Sequence, residues 1–459
     1  MTRWTGATVA AALGLEAPAP APAPAPTFRA VSTDTRSLAG GDLFVALVGE
    51  RFDGHDYLDA ARQAGAAGAV VRRGTAPLAG VVLFEVDDTL HALGRLARAR
   101  RRDVAGPVVA ITGTNGKTAT KELVARALGT RWRVHATRAN LNNEVGVPLT
   151  ILSAPDDAEA LVVEAGASVR GEIARLRNII EPTVAMITNV SAGHLAGFGD
   201  ETDVLTEKLA LVARVPLAIV GTTPPTLGAR ARETAGRVVC AGLDAPADLR
   251  PDRWGLDGAG RVEVRFRNVP LHVPLAGRHQ AENVMLALAL ADALALDLPP
   301  VAAALASVDL PSGRWEVSET RGRTVINDAY NANPASLLAA LETVHAIRSD
   351  RPLVILVGSM LELGAATAAA HARCADAIVA LDPALVGAVG EFVAALAPSR
   401  TRLDARLVTA ADAAALGRAV APRIPDRAIV LLKGSRGTRM ERALPYLLPS
   451  GEVPCSTTS

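Results

Sequence analysis

Pro107-Val-Val-Ala-Ile-Thr-Gly-Thr-Asn-Gly-Lys-Thr118 decides the fold. Its first half is a short apolar run rich in β-branched residues. Without polar alternation, such a run reads as a strand buried on both faces. The glycines interrupt it, and a helical pattern takes over from Thr118 to Leu128. Strand, glycine-rich turn and helix in succession make a phosphate-binding loop. Glycines let backbone N–H groups approach phosphate oxygens, and the helix N-terminus adds positive potential. Gly113, Thr114, Asn115, Gly116, Lys117 and Thr118 are therefore expected to hold a nucleotide, with Lys117 reaching the β- and γ-phosphates and Thr118 holding Mg²⁺. The spacing departs from the standard loop: Thr114 and Asn115 alone separate Gly113 from Gly116-Lys117. Lys121, on the first turns of the helix, reads as part of a solvated face.

Outward from this loop the same style repeats. Before it, short apolar runs (Leu43 to Val48, Ala69 to Val71, Val81 to Phe84) flank a helical stretch from Tyr57 to Ala64. After it come strand-like runs at Ala160 to Val163 and Val184 to Thr188, then a long helix from Ala281 to Leu296. The pattern restarts near Leu310, with strands at Val325-Ile326, Leu353 to Val357, Leu385 to Val389 and Ala428 to Leu432, and a helix from Pro334 to His345. Alternating strands and helices predict parallel sheets covered on both faces. The chain has 459 residues, enough for three domains at ~150 residues each. We expect an α/β protein with divisions at 1–103, 104–310 and 311–459.

Composition narrows the function. The formal net charge is +1, charged residues are 21% and aromatics 3%. That balance argues against a nucleic-acid partner, and so few aromatics leave little for stacking on single strands. The most apolar stretch, Val284 to Ala306, is broken by Asp292, Asp297 and Pro299-Pro300, so no membrane span is expected. Arg3 and the apolar Ala7 to Leu15 only weakly imitate an export signal. The alternating Ala/Pro tract at 17–26 favours a stiff polyproline spacer. Cys240, Cys374 and Cys455 are widely spaced and suggest neither a disulfide nor a metal framework, which fits the cytoplasm.

Of 48 basic residues only Lys117, Lys121, Lys208 and Lys433 are lysines. Where arginine serves most positions needing positive charge, a retained lysine points to a compact ammonium or a nucleophilic amine. Glu164 ends its apolar strand and should lie at the sheet's carboxyl edge, where α/β proteins bind ligands; a carboxylate there suits Mg²⁺, or it is a capping residue.

Thr112-Gly-Thr-Asn-Gly-Lys-Thr118 resembles the ATP loop of the Mur ligases, which build the peptide of bacterial cell-wall precursors. Asn142-Asn-Glu-Val-Gly-Val-Pro-Leu-Thr150, Glu164-Ala-Gly-Ala-Ser168, Asn327-Asp-Ala-Tyr-Asn-Ala-Asn-Pro334 and Lys433-Gly-Ser-Arg-Gly-Thr-Arg-Met-Glu441 come after it in the family's order. The resemblance implies a small N-terminal α/β domain for the UDP-sugar, a central P-loop ATPase domain and a C-terminal Rossmann-like domain. It implies a monomeric, cytoplasmic enzyme that spends ATP to join D-alanyl-D-alanine to UDP-N-acetylmuramoyl-tripeptide through an acyl phosphate. A sister ligase adding one amino acid, a folylpolyglutamate-type ligase, and a catalytically silent nucleotide-sugar-binding protein are the alternatives.

The same resemblance assigns residues. His194, in Thr188-Asn-Val-Ser-Ala-Gly-His194, becomes a metal ligand, and Lys208 matches a carbamylated lysine whose added carboxylate also coordinates Mg²⁺. Thr35 and Arg36 would meet the UDP pyrophosphate, and Asn142 and Asn143 the muramoyl peptide. Asn283 and Asp328 would contact ATP, Asn331 the base or the peptide substrate, and Arg314 the γ-phosphate; Asn333 reads as a helix cap. Lys433, Ser435 and Arg436 would hold either the dipeptide carboxylate or a phosphate. His279 reads as mostly structural. Two departures from the family pattern stand out: Ala196, two places after His194, and Ser359, each where relatives carry an acidic residue.

Overall fold

A computed structural model of the chain describes residues 4–16, 26–49, 51–191, 198 and 200–448. These form two compact units, one drawn from within residues 1–111, 131–167 and 171–185, the other from within 112–130, 168–170 and 186–459. Most of the Ala/Pro tract, His194, Ala196 and Cys455 lie outside the described residues.

In the first unit a short antiparallel pair, β1 (Trp4–Thr5) and β2 (Thr27–Phe28), precedes a parallel sheet of β3 (Val31–Ser32), β4 (Leu43–Val45), β5 (Gly68–Arg72) and β6 (Val82–Val86), in that order. Alternation splits its side chains between two cores. Leu43, Val45 and Val70 pack with Trp4, Phe28 and α1 (Gly6–Leu13), while Phe44, Ala69 and Val71 pack with Ala61 on the other side. The N-terminal apolar run is thus a core helix, with Thr5 as N-cap and Gly14 in the left-handed conformation at its end.

Helix α2 (Thr89–Arg101) ends this part of the chain. Its last turn is tied to two later segments. Arg100, 2% exposed, donates to Ala154 O at 2.9 Å and Pro155 O at 2.8 Å, and Arg101 donates to Ile180 O at 2.8 Å. Next come β7 (Val108–Thr112), β8 (Val134–Ala136), β9 (Ala160–Glu164) and β10 (Val184–Ile187), in the spatial order β8-β9-β7-β10. β7 runs parallel to β9, with Ile111 opposite Glu164. Val108 to Ile111 and Leu161 to Val163 are fully buried, as the unbroken apolar runs predicted.

The second unit contains α3 (Lys117–Leu128), α4 (Glu201–Leu209), and the parallel strands β11 (Leu217–Val220) and β12 (Arg237–Cys240). After these stands an antiparallel sheet of β13 (Arg253–Leu256), β14 (Arg261–Phe266) and β15 (Val269–Ala276), which the sequence reading did not anticipate. Its signal was present: β14 alternates exposed and buried residues along its length. The long helix is α5 (Arg278–Ala293).

The remainder is a six-stranded sheet, ordered β16-β17-β21-β18-β19-β20: β16 (Glu316–Thr320), β17 (Arg323–Asp328), β18 (Leu353–Val357), β19 (Leu385–Ala388), β20 (Leu407–Thr409) and β21 (Ile429–Lys433). β16 is antiparallel to its neighbour and the other pairs are parallel. Leu353, Ile355 and Val357 face α6 (Pro334–Ile347) and α7 (Thr367–Ala380); Val354 and Leu356 face α8 (Ala413–Val420). One strand feeding two cores is the doubly covered sheet expected from the pattern.

Glu181 joins the end of α2 to the segment before β10. Its carboxylate accepts from Arg98 Nε at 2.6 Å and from Arg102 at 2.7 and 2.9 Å, and these bonds hold its pKa at about 2, against an ordinary value of 4.5. The folded form therefore carries the carboxylate at pH values where the unfolded chain has bound a proton. The stabilisation is complete above about 4.5 and is lost as pH falls toward 2. Glu181→Gln should be less stable than the parent at neutral pH. The gap should shrink as denaturation is repeated from pH 6 down to about pH 2.5.

Candidate functional site

The glycine-bounded turn expected to hold phosphate is built by exclusion of side chains. Gly113 has φ +145, and a Cβ there would lie 1.9 Å from Thr188 Oγ1. Gly116 has φ +79, and its Cβ would meet Asn283 Oδ1 at 2.5 Å. Only glycine serves at either position. Between them the backbone is pinned by the segment after β10. Thr114 N donates to Asn189 O at 2.9 Å, and Asn115 N to Asn189 Oδ1 at 3.1 Å. Asn115 O accepts from Thr188 Oγ1 at 2.5 Å and Asn189 Nδ2 at 3.1 Å. Thr114 Oγ1 and Ser191 exchange bonds at 3.1 and 3.0 Å.

Gly116 is the N-cap of α3 and supplies no side-chain cap, so the first N–H groups of the helix face the loop. Lys117 Nζ donates to Gly113 O at 2.8 Å and Thr114 O at 3.1 Å, folding the ammonium back over the turn where phosphate oxygens would sit. Thr118 is buried. Asn283, also buried, projects from α5 against Gly116 and donates to Gln280 Oε1 at 3.0 Å. Lys121 corrects its reading: only 4% exposed, it donates to Glu122 Oε1 at 2.5 Å and lies on a covered face of α3, not a solvated one. A helix beginning in a loop and packed among other elements has little open surface near its start.

Glu164 is buried at the end of β9, and its Oε1 accepts from Asn142 Nδ2 at 2.9 Å. Asn143, exposed, uses its Oδ1 to accept from Val145 N and Gly146 N, which turns the chain into the next helix. Lys208 lies in the last turn of α4, 2% exposed, with Nζ 5.9 Å from the Phe198 ring centroid. Thr118 and Glu164 each offer a hard oxygen donor of the kind Mg²⁺ takes. Among the described residues no three or more His, Cys, Asp or Glu side chains gather as a metal-binding group; a buried carboxylate and a buried hydroxyl are nonetheless oxygen donors of the chemistry Mg²⁺ prefers.

The carboxyl ends of the six-stranded sheet gather the C-terminal candidates. Register puts Asp328 opposite Lys433 on adjacent strands. Lys433 Nζ donates to Asp328 Oδ2 at 2.5 Å and to Asn331 O at 3.2 Å, and the lysine is 3% exposed. Two residues expected to serve separate ligands are thus bound to one another. Ser435 ties three loops: its Oγ donates to Ala332 O at 3.0 Å and accepts from Leu361 N at 2.9 Å, while its N–H donates to Ser359 O at 3.0 Å. Ser359 Oγ accepts from Glu391 N at 2.9 Å, a turn-closing bond that needs no carboxylate. Burial holds the imidazole of His279 down at about 4, with Asp328 opposing and Lys433 adding to the shift; part of the residue still meets solvent.

Arg314 and Arg436 stand apart from this pairing. Their guanidinium carbons lie 3.9 and 5.4 Å from the centroid of the Tyr330 ring. Among the described residues neither forms an ion pair, and Arg314 Nε is buried without a hydrogen-bond partner. Two unneutralised cations on one aromatic ring make an anion-seeking surface. Neither Tyr330 nor Glu316 was given a role from the sequence, although Tyr330 stands within the Asn327-to-Pro334 motif. Glu316 Oε2 accepts from Ser312 Oγ, Gly313 N and Asn327 Nδ2 at 2.6, 3.0 and 3.0 Å, and Tyr330 N donates to Gly313 O at 2.9 Å; together they fix the turn that carries Arg314. Its place in that motif, and the rarity of tyrosine in this chain, were the signals for Tyr330. Asn331 is exposed, its Oδ1 accepting from Ala332 N at 2.9 Å. In the first unit, Arg36 is exposed and hydrogen-bonds Asp34, which holds that carboxyl at about 2. Thr35 lies half-buried between them.

Three family models match the chain in succession: "Mur ligase family, catalytic domain" over residues 27–101, "Mur ligase middle domain" over 111–291, and "Mur ligase, glutamate ligase domain" over 313–436. The UDP-N-acetylmuramoyl-tripeptide–D-alanyl-D-alanine ligase of Bacillus subtilis is 32% identical over 92% of this chain and 93% of its own length. The chain belongs to the Mur ligase family. The ligase of the same name from Escherichia coli is also 32% identical, covering 93% of this chain and 95% of that one. Among solved structures, MurF from Acinetobacter baumannii superimposes with a TM-score of 0.85 at 28% identity, over 97% and 98% of the two chains. MurF from Thermotoga maritima, in complex with ADP, does so at 0.79 and 27%, over 91% and 96%. This is the three-domain Mur ligase fold. A folylpolyglutamate synthase of Mycobacterium tuberculosis, at 21% identity and TM-score 0.64, shares the fold alone.

Gly116→Ala forces a left-handed alanine against the Asn283 amide, at a strain on the order of 1–3 kcal/mol. The variant should unfold at a lower temperature and bind a nucleoside triphosphate at least several-fold more weakly by calorimetry.

Proposed function

We propose that this chain is an ATP-dependent ligase that joins D-alanyl-D-alanine to UDP-N-acetylmuramoyl-tripeptide, forming an amide, ADP and phosphate in peptidoglycan precursor synthesis. The observation that carries this is similarity along nearly the whole chain to ligases of that name, joined to a glycine-bounded loop with a lysine folded over it. The reading divides the chain into a UDP-sugar domain (1–103), an ATP domain (104–310) and a C-terminal domain (311–459). It has the enzyme act as a cytoplasmic monomer, where ATP and a UDP-linked substrate are both at hand.

The chemistry stems from a carboxylate being a poor electrophile. An oxygen of the tripeptide's terminal carboxylate attacks the γ-phosphorus, the bond to ADP breaks, and an acyl phosphate results. The amine of D-alanyl-D-alanine then adds to the acyl carbon and loses a proton, and phosphate leaves. The first step offers the protein little covalent work, so charge placement dominates it. In this reading the backbone of Gly113 to Gly116 and Lys117 hold the phosphates, and Arg314 meets the charge that develops on the γ-phosphoryl group. Asn283, Asp328 and Asn331 lie toward the nucleoside.

Thr118 and Glu164, with His194 and a carbamylated Lys208, would hold Mg²⁺, which neutralises phosphate charge when bound. Thr35 and Arg36 meet the UDP pyrophosphate; Asn142 and Asn143 meet the muramoyl peptide. Lys433 acts through Asp328, and Ser435 through the loops it ties. That leaves Arg436, beside Tyr330, as the one of the three with a charge available for the carboxylate of D-alanyl-D-alanine.

ADP release with UDP-N-acetylmuramoyl-tripeptide, ATP and Mg²⁺ tests the reading. It should require D-alanyl-D-alanine, fail with single amino acids, and be lost in Lys117→Ala. Release that is indifferent to the dipeptide would overturn it. Lys208→Ala and Lys208→Arg should both be inactive. Short carboxylates that take the carbamate's place should restore part of the alanine variant's turnover. Full activity in Lys208→Arg would remove the carbamate from the mechanism.

A further inference from the structure

Asn115 and Asn333 are 218 positions apart, yet their side-chain amides exchange hydrogen bonds. Asn333 Nδ2 donates to Asn115 Oδ1 at 2.7 Å, and Asn115 Nδ2 donates to Asn333 Oδ1 at 3.4 Å. Neither end is loose. Asn333 is the N-cap of α6: its Oδ1 accepts from Ser336 N at 2.9 Å and its N–H donates to Ser336 Oγ at 3.0 Å, a complete capping box. Helix α6 is in turn packed on the six-stranded sheet through Leu337, Leu341 and Val344. The Nδ2 of Asn333 is therefore aimed by the whole C-terminal sheet. Asn115 sits between the two loop glycines, with its backbone already held by Thr188 and Asn189.

We propose that Asn333 is a positioning residue for the phosphate loop, its amide joining the capped start of α6 to Asn115 so that the loop is ordered for a triphosphate only when the C-terminal sheet is in place. The inference rests on the reading of the loop as the ATP site. It adds a route by which the C-terminal part of the chain governs ATP binding besides Arg314. A reciprocal bond needs a donor and an acceptor side by side at both ends, which only an amide offers. Capping alone asks less: serine caps a helix about as well as asparagine but is too short to reach Asn115. The two jobs of Asn333 can therefore be separated.

The test is a double-mutant cycle of Asn115→Ala, Asn333→Ser and the pair, read in ATP kinetics, in the affinity for a non-hydrolysable ATP analogue, and in thermal unfolding. Asn333→Ala serves as the control that loses the cap. Each single variant should lose about 2- to 13-fold in kcat/KM for ATP and in analogue affinity, the range of one hydrogen bond. The pair should be no worse than the poorer single. KM for the tripeptide nucleotide should stay put, and Asn333→Ser should keep the parent melting temperature while Asn333→Ala falls. Multiplicative losses in the pair, parental ATP binding in Asn333→Ser, or losses that track the melting temperatures of the serine and alanine variants would overturn the proposal. The analogue affinities need no turnover, so they still decide this point should the proposed ligation fail.

Discussion

Everything at the candidate site is arranged around two places where a side chain cannot go. At Gly113 a methyl group would strike the Thr188 hydroxyl, and at Gly116 it would strike the Asn283 amide. The turn can therefore press against the strand end beside it and the helix above it. Its backbone groups are then taken up by Asn189 and Thr188, instead of being left to water, and Ser191 holds the Thr114 hydroxyl. A loop held this way needs no side-chain cap on α3, and an uncapped helix start beside a folded-back lysine is what a phosphate group requires.

The C-terminal sheet solves a different problem, that of keeping some cations quiet and others available. Lys433 is buried and neutralised by Asp328 across adjacent strands. Its charge is a structural fixture that steadies the turn through Asn331 O. Arg314 and Arg436 form no ion pair among the described residues and are laid against Tyr330. Their charge stays available for an anion, because an aromatic face holds a guanidinium without neutralising it. Glu316 acts at one remove: it spends its own charge on a hydroxyl and two N–H donors to hold the turn that presents Arg314.

How far the sequence could be read depended on whether a signal was local. The strand, glycine turn and helix at 108–128, the other buried strands and the cap at Asn333 were all legible, because each is written within a few consecutive residues. The antiparallel sheet from Arg253 to Ala276 was passed over although β14 alternates plainly, since the α/β rhythm on both sides of it invited a parallel reading. Lys121 was misjudged for a related reason. A helix face is solvated or covered according to what packs on it, and that partner lies far away in sequence. The roles of Asp328 and Lys433 could not be paired in advance, because their meeting depends on β17 and β21 being neighbours in the sheet.

The chain's own order of residues determined the α/β class, the place of the glycine-bounded turn between strand and helix, and the lysines and carboxylates worth weighing, since hydrophobic period, glycine and charge act over a few positions. Tertiary structure alone decided which cation is neutralised and which is left available. It also decided that Ser435 binds loops together, that Tyr330 carries two arginines, and that Asn115 meets Asn333. Each of those facts includes a contact between segments a hundred or more residues apart, or a burial that such segments create. No local propensity encodes a distance of that kind; it is fixed only when sheet order and helix packing bring the segments together.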